Sequence, residues 1–117
     1  MVDRRRGDKP RPAKPWKPAD ATRRIRDKSA KGLNLIFTKH VKDRMHERGL
    51  LVSDVLHVLA NGTVYENAEP ATRGGLFKYQ IECPTPNSNR RSVRLVVIPS
   101  PTDTTVKVVT IMWVDGT

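Results

Sequence analysis

The chain has 117 residues and carries 22 lysines and arginines against 12 acidic residues, a formal net charge of +10. This length suits one domain, and the excess of positive charge indicates an anionic partner: nucleic acid, an acidic protein or an anionic surface. The single cysteine, Cys83, excludes an internal disulfide, and no apolar run approaches the ~20 residues of a membrane span. With no apolar signal segment at the N-terminus, we expect a cytoplasmic protein with no membrane partner, metal or cofactor.

Residues 1–30 form a basic, proline-rich segment. They hold 11 basic and 4 acidic residues, so they account for +7 of the net charge, and four of the nine prolines. Large apolar residues are too few to offset the entropy of ordering, so we expect a partly disordered arm with a short helix at 20–30 capped by Asp20. The arm either tethers nucleic acid or serves as a solubilising tail.

The folded domain is expected at residues 31–117, beginning with a short apolar strand at 33–38. Thr38 is a good N-cap for a helix over 39–48, and Gly49 is placed to end it. A second helix is predicted over 54–60, with Ser53 as its N-cap and Asp54 favourable at its positive end.

The rest of the chain shows the alternation and turn residues typical of β-structure. Phe77 and Tyr79 alternate with Lys78 and Gln80, which places the two pairs on opposite faces of one strand. Strands are predicted at 63–67, 75–83, 92–98 and 104–114. Helices grouped early and strands grouped late indicate an α+β fold with two helices on one face of an antiparallel sheet.

The helix over 39–48 carries a polar stripe with the chemistry of a phosphate site. At about 100° per residue, His40, Arg44, Glu47 and Arg48 lie close together on one face. Arginine suits phosphate through paired N–H donors, and histidine exchanges protons near neutral pH. The alternative is an ordinary solvated helix face, because charged residues are common on such faces.

The sheet supplies a second set of candidates. Lys78 and Gln80 share one face, and Arg94 lies in an apolar strand where a charge is costly unless it is paired or faces a cleft. Tyr79 and Trp113 have rings that can stack on bases, although core packing is the simpler role for Tyr79. If the helix stripe and Arg94 converge, they outline a cationic pocket with a proton-transfer group.

A family resemblance follows from the segment Phe37-Thr38-Lys39-His40-Val41-Lys42-Asp43-Arg44-Met45-His46-Glu47-Arg48-Gly49-Leu50. It resembles the opening motif of a bacterial family known as domain of unknown function 4258. The later Leu59-Ala60-Asn61-Gly62, Lys78-Tyr79, Arg94 and Val108-Val109-Thr110 also resemble that family's pattern. The resemblance covers about residues 34–114 and leaves the basic arm outside it.

The family is itself similar to RelE/MqsR-type toxins of type II toxin–antitoxin systems. That resemblance implies a RelE-like fold, with helices against a curved antiparallel sheet, and metal-independent cleavage of mRNA, including ribosome-bound mRNA, by 2′-OH attack. It also implies a cognate antitoxin as partner. On this basis His40, Arg44, Arg48 and Arg94 are predicted catalytic residues. The predicted RNA-binding residues are Glu47, Lys78, Tyr79, Gln80 and Trp113.

Two other functions fit the same charge. The first is a basic module that binds RNA, DNA or ribosomes without cutting them, and the second is a RelE-fold toxin that acts by binding a protein. Binding in either nucleic-acid case weakens with salt, because each neutralised phosphate releases counterions. RNA fragments formed in EDTA would separate the enzyme from the binding module.

Overall fold

The structure is a computed structural model that describes residues 14–115. Its elements run in the order α1 (Pro18–Ala30), β1 (Asn34–Phe37), α2 (Lys39–Arg48), α3 (Val52–Asn61), β2 (Thr63–Val64), β3 (Glu69–Pro70), β4 (Phe77–Pro84), a 3₁₀ turn (Pro86–Ser88), β5 (Ser92–Pro99) and β6 (Thr105–Trp113). The predicted α+β class is confirmed. Among the described helices, none is both long enough and apolar enough to cross a membrane.

The sheet is mostly antiparallel, with the order β1-β6-β5-β4-β2 and with β3 paired to β4. β1 runs parallel to β6, with Asn34 opposite Thr105 and Phe37 opposite Val108. The prediction of an antiparallel sheet is therefore wrong at this edge. About 70 residues separate the two strands, so the pairing depends on the path of the whole chain and leaves no local signal.

The sheet has one covered face and one open face. Tyr79, Ile81, Leu95, Val97 and Val108 are buried on the covered face. The three α-helices of residues 14–115 add side chains to the same core: Ala21 and Ile25 from α1, Val41 and Met45 from α2, Val55, Val58 and Leu59 from α3. The predicted packing of helices on one face is correct, but three helices take part rather than two.

α1 lies within the region predicted as an arm and packs into the core. Ala21 and Ile25 are four residues apart, so they share one helix face, and both are fully buried. Arg26 fixes the helix further by donating to the Gly62 and Asn61 carbonyls, each over 2.9 Å. The predicted disorder covers roughly residues 1–20: residues 14–17 lead into α1, which begins at Pro18, and residues 1–13 lie outside the described residues.

The N-caps of α1 and α3 differ from the predictions. α1 begins with Lys17 as N-cap and Pro18 in the first position, where its missing N–H costs nothing, so Asp20 is not the cap. Asp20 instead pairs with Arg23 and Arg24. The N-cap of α3 is Leu51 and not Ser53; the Leu51 N–H donates to Asp54 Oδ2 over 2.9 Å.

A bulge in β6 decides which residues face the open side. Thr110 lies opposite Val96 but Val108 lies opposite Val97, so Val109 is an extra residue with no direct partner in β5. Lys107 and Thr110 therefore lie on the open face, while Val108 and Ile111 are buried. Trp113 falls on the covered face as a consequence.

Candidate functional site

α2 forms where the sequence predicts it, and its local chemistry explains why. Thr38 Oγ1 accepts from the Val41 N–H over 3.1 Å, and Gly49 ends the helix at φ 66°, a left-handed conformation that glycine adopts without strain. Val41 and Met45 face the core. The orientation of α2 is thus fixed, and its polar stripe points away from the sheet's buried residues.

None of the four stripe residues lines the groove that occupies the open face of the sheet. His40 is exposed, and Arg44 contacts Glu47 at 3.4 Å on the helix surface. Arg48 Nη1 donates to the Ile111 carbonyl over 3.3 Å, on the part of β6 that extends past the end of β1. Arg48 therefore satisfies a backbone group of the sheet edge.

Arg94 lies on the open face, where it is paired. Its Nε donates to Glu82 Oε1 over 2.8 Å, and the two residues are direct partners across β4 and β5. Both side chains are partly buried, with 29% and 19% of their surface exposed. The pair neutralises its own charge, as a cation in an apolar strand requires. Arg94 is therefore not an unpaired cation that could join the α2 stripe in one pocket.

The two aromatic candidates lie on the covered face. Tyr79 is 2% exposed and its Oη accepts from the Trp16 N–H over 2.8 Å. Burial raises the pKa of its hydroxyl. Trp113 is partly buried and holds the Arg91 guanidinium 3.9 Å from its ring centroid. Neither ring is presented on the open face, so neither is placed to stack on a base there.

A groove of about 810 Å³ occupies the open face. It crosses the sheet from β1 to β4 and extends to the loops before β4 and after β5. The lining residues are Ile36, Ala71, Thr72, Arg73, Gly74, Leu76, Lys78, Ile98, Pro99, Ser100, Pro101, Thr105, Lys107, Val109 and Thr110. Of the nine predicted site residues, this lining includes Lys78 and not the four predicted catalytic residues.

The groove combines an apolar floor with unpaired cations. Ile36, Ile98 and Val109 supply apolar surface, and Ile36 is 43% exposed although it is a large apolar residue. Within residues 14–115, Lys78 and Lys107 form no ion pair, and the same holds for the third groove cation, Arg73. Their N–H donors are therefore available to a ligand.

Sequence reasoning missed Lys107 and Arg73. Lys107 alternates with the buried Val106 and Val108, a pattern that places it on the uncovered face. Its pairing opposite Ile36 and Ile98 brings it to the groove, and that depends on the sheet order. Arg73 lies in a loop before two glycines, where no periodicity indicates its direction.

A second polar cluster, centred on Asp54, is buried, and its hydrogen bonds stabilise the fold. Asp54 is 1% exposed; Oδ1 accepts from the Thr85 hydroxyl over 2.6 Å, and Oδ2 accepts from the Leu51 N–H and from Asn87 Nδ2. Burial by itself raises the pKa of Asp54, but these hydrogen bonds outweigh it and the pKa lies below its usual range. Across residues 14–115, no group of three or more His, Cys, Asp or Glu side chains is placed to hold a metal ion.

Comparison with known proteins gives a single kind of match. A protein-family profile described as Domain of unknown function (DUF4258) matches residues 37–113. The match spans α2, α3 and strands β2 to β6, and it leaves out residues 1–36, which include Ile36 of the groove. No curated protein and no solved structure matches the chain significantly.

Proposed function

Because the chain belongs to the DUF4258 family, whose description assigns no activity, we propose a function from its own chemistry: the open-face groove binds single-stranded RNA. The observation that carries the proposal is the position of Lys78 and Lys107 over an apolar groove of about 810 Å³ on the uncovered face of the sheet. Neither lysine forms an ion pair within residues 14–115, although Glu69 lies directly opposite Lys78 across β3 and β4, and the net charge of +10 favours a polyanion.

The groove offers one type of contact to each part of an RNA strand. Lys78 and Lys107 contact phosphates as point charges, and the Arg73 guanidinium suits a phosphate through paired N–H donors. The floor at Ile36 and Ile98 takes the apolar faces of unstacked bases. Threonine hydroxyls along the wall are hydrogen-bonding partners for a 2′-OH, the group that distinguishes RNA from DNA.

A single strand fits this surface better than a duplex. Bases in a duplex are stacked on one another, so they leave the apolar floor without a partner, whereas an unpaired strand exposes the base faces. Contacts to phosphates and to base faces are tolerant of sequence. We therefore expect modest sequence preference and a strong dependence of affinity on salt.

Metal-independent cleavage of RNA by a RelE-like toxin is the second candidate. It is supported by the motif resemblance and by an open sheet face opposite the helices. A RelE-like fold, a cognate antitoxin and a cytoplasmic location belong to this proposal. His40 and Arg44 lie on α2 outside the groove, so in this candidate the groups beside the RNA are the amines of Lys78 and Lys107.

The experiment compares two variants with the same change of charge. Lys78→Gln/Lys107→Gln removes the groove cations, and Lys39→Gln/Lys42→Gln removes two exposed cations of α2. With fluorescent single-stranded RNA, we expect the groove variant to bind at least about tenfold more weakly than the wild type. The slope of log affinity against log salt concentration should become shallower by about 1.4. The affinity of the α2 variant should stay within about twofold of the wild type. Equal losses in both variants would contradict a groove-specific site.

The same reactions, run in EDTA, test cleavage. Fragments ending in 2′,3′-cyclic or 3′-phosphate, formed by the wild type and lost in Lys78→Gln/Lys107→Gln, would support the ribonuclease candidate. RNA that is bound and recovered intact would support binding without cleavage. Failure of the wild type to bind RNA would reject both and leave a DNA-binding module or a toxin that acts on a protein.

A further inference from the structure

The open face of the sheet continues past the groove along β4 and β5. Beyond the groove residue Ile98, β5 carries Val96 and then Arg94 on this face. The residues opposite these two on β4 are Gln80 and Glu82. Each of the four is only partly buried, so this part of the face is accessible. Because each step of two residues advances about 6.6 Å, the Glu82–Arg94 pair lies about 13 Å along the sheet from Ile98.

The Glu82–Arg94 pair leaves much of its hydrogen-bonding capacity unused. A single bond joins the two side chains, from Arg94 Nε to Glu82 Oε1 over 2.8 Å. Within residues 14–115, neither Glu82 Oε2 nor the two Nη groups of Arg94 form a hydrogen bond, and the Gln80 amide forms none either. Partly buried polar groups without partners are costly. An acceptor and donors side by side on an accessible face therefore suit a ligand that offers both kinds of group.

Among the four bases of RNA, guanine matches this arrangement best. Its Watson–Crick edge carries two neighbouring donors, N1–H and N2–H, beside the acceptor O6. A carboxylate can accept from both donors, while an arginine Nη donates to O6. Adenine, cytosine and uracil each offer one donor group on that edge. They therefore leave more of the carboxylate without a partner than guanine does.

We propose that the Glu82–Arg94 pair selects a guanine base in the RNA strand that occupies the groove. The guanine ring rests on Val96, its N1–H and N2–H donate to the Glu82 carboxylate, and its O6 accepts from an Arg94 Nη. The inference rests on the proposed RNA-binding function and names the base that this function prefers. Contacts to phosphates and to base faces in the groove accept any sequence, so the pair is the source of the preference.

The RNA side of the test uses strands of about eight nucleotides that differ in one base. The reference strand contains only uridine, and a set of strands carries one guanosine at each position in turn. At one or more positions, guanosine should raise the affinity of the wild type at least about fivefold, because a matched pair of contacts discriminates between bases by about 5- to 150-fold. Adenosine there should stay within about twofold of uridine. Inosine, which lacks the N2 amino group, should bind at least about threefold more weakly than guanosine.

The protein side uses two variants of the pair that leave the net charge unchanged. Arg94→Lys keeps a cation opposite Glu82 but removes the Nη donors, and Glu82→Gln/Arg94→Gln removes both charges together. In each variant the guanosine and reference strands should bind within about twofold of one another, with the affinity for the reference strand within about threefold of the wild type. Thermal melts show whether each variant folds, and Arg94→Lys decides the test if the double variant does not.

The matched control is Asp27→Asn/Lys31→Gln, which removes an exposed ion pair of α1 and also leaves the net charge unchanged. It should keep the wild-type preference for guanosine. A wild type with no preference at any position, or a preference that survives both variants of the pair, would overturn the inference. Equal gains from adenosine and guanosine would also overturn it, because they would indicate stacking of any purine.

Failure of this inference differs from failure of the proposed function. If Lys78→Gln/Lys107→Gln weakens binding of the uridine strand while no position favours guanosine, the groove binds RNA and the Glu82–Arg94 pair does not select a base. If Lys78→Gln/Lys107→Gln leaves the affinity for the uridine strand unchanged, the groove function itself is wrong.

Discussion

Replacing the buried carboxylate with an amide, in Asp54→Asn, should destabilise the fold. The Asp54 carboxylate accepts from the Thr85 hydroxyl over 2.6 Å, from the Leu51 N–H over 2.9 Å and from Asn87 Nδ2 over 3.2 Å. An amide has one accepting oxygen in place of two and sets its own NH₂ against a donor. Hydrogen bonds to a charged group contribute about 1.5–3 kcal/mol each, so losing one or two should lower the free energy of unfolding by about 1.5–6 kcal/mol.

The pH dependence of this loss distinguishes the carboxylate from a simple packing effect. The folded-state pKa of Asp54 lies below its usual value, so its contribution is fully present above about pH 4 and disappears as pH falls through the folded-state pKa. Asp54→Asn has nothing to protonate. The difference in unfolding free energy between wild type and variant should therefore be largest near neutral pH and shrink below about pH 4.

Urea denaturation at a series of pH values measures this difference. The control is Asp27→Asn, which removes an exposed carboxylate paired with Lys31 at 3.2 Å and should change the unfolding free energy by less than about 1 kcal/mol. A loss for Asp54→Asn that stayed constant from pH 7 to below pH 4, or no loss at all, would refute the role assigned to the charged carboxylate.

Two further predictions concern the elements that flank the groove strands. Gly62→Ala should lower the free energy of unfolding by about 1–3 kcal/mol, because the added Cβ would lie 2.5 Å from the Val58 carbonyl oxygen and 2.8 Å from Ile81 Cγ1. The control is Gly74→Ala, which has open space around it and should leave the melting temperature unchanged in the same thermal melt. Thr38→Ala should lose about 0.5–2 kcal/mol by removing the N-cap of α2, whereas Thr38→Ser should retain most of the stability; equal urea midpoints for the two variants would contradict the cap.

Local signals predicted α2 correctly, whereas long-range contacts decided the start of α3. Thr38 and Gly49 define α2 from residues next to it in the chain, so the sequence suffices. The N-terminus of α3 is set by Asp54, whose orientation is held by Thr85 and Asn87, about 30 residues away. Ser53 is a better N-cap by residue type than Leu51. No signal near α3 in the sequence shows that the Asp54 carboxylate, and not the Ser53 hydroxyl, fixes the start of the helix.

α1 shows how composition can conceal a packed helix. Its many charged residues resemble a solvated arm, but burial of Ala21 and Ile25 on one face, together with the Arg26 bonds to the end of α3, is enough to attach it. The alternation in β4 predicted correctly that Lys78 and Tyr79 face opposite sides. It could not show which side the helices cover.

The candidate site was only partly predictable because of the bulge at Val109. Strict alternation along β6 would place Lys107 and Trp113 on the same face, whereas the extra residue places them on opposite faces. The pairing of β1 with β6 then brings Ile36 beside Lys107. Both features depend on the register of the sheet, so the prediction from sequence named Lys78 but no other residue of the groove.

Mapping the bound RNA on the protein tests the central claim most directly. In a titration of ¹⁵N-labelled full-length protein with single-stranded RNA of about 8 nucleotides, the account predicts amide shift changes concentrated at Lys78, Lys107 and Thr110 and at the loop containing Arg73. Residues of α2 should change little. Shift changes centred on His40, Arg44 and Arg48, with the groove strands unaffected, would contradict the assignment of the open face as the RNA site.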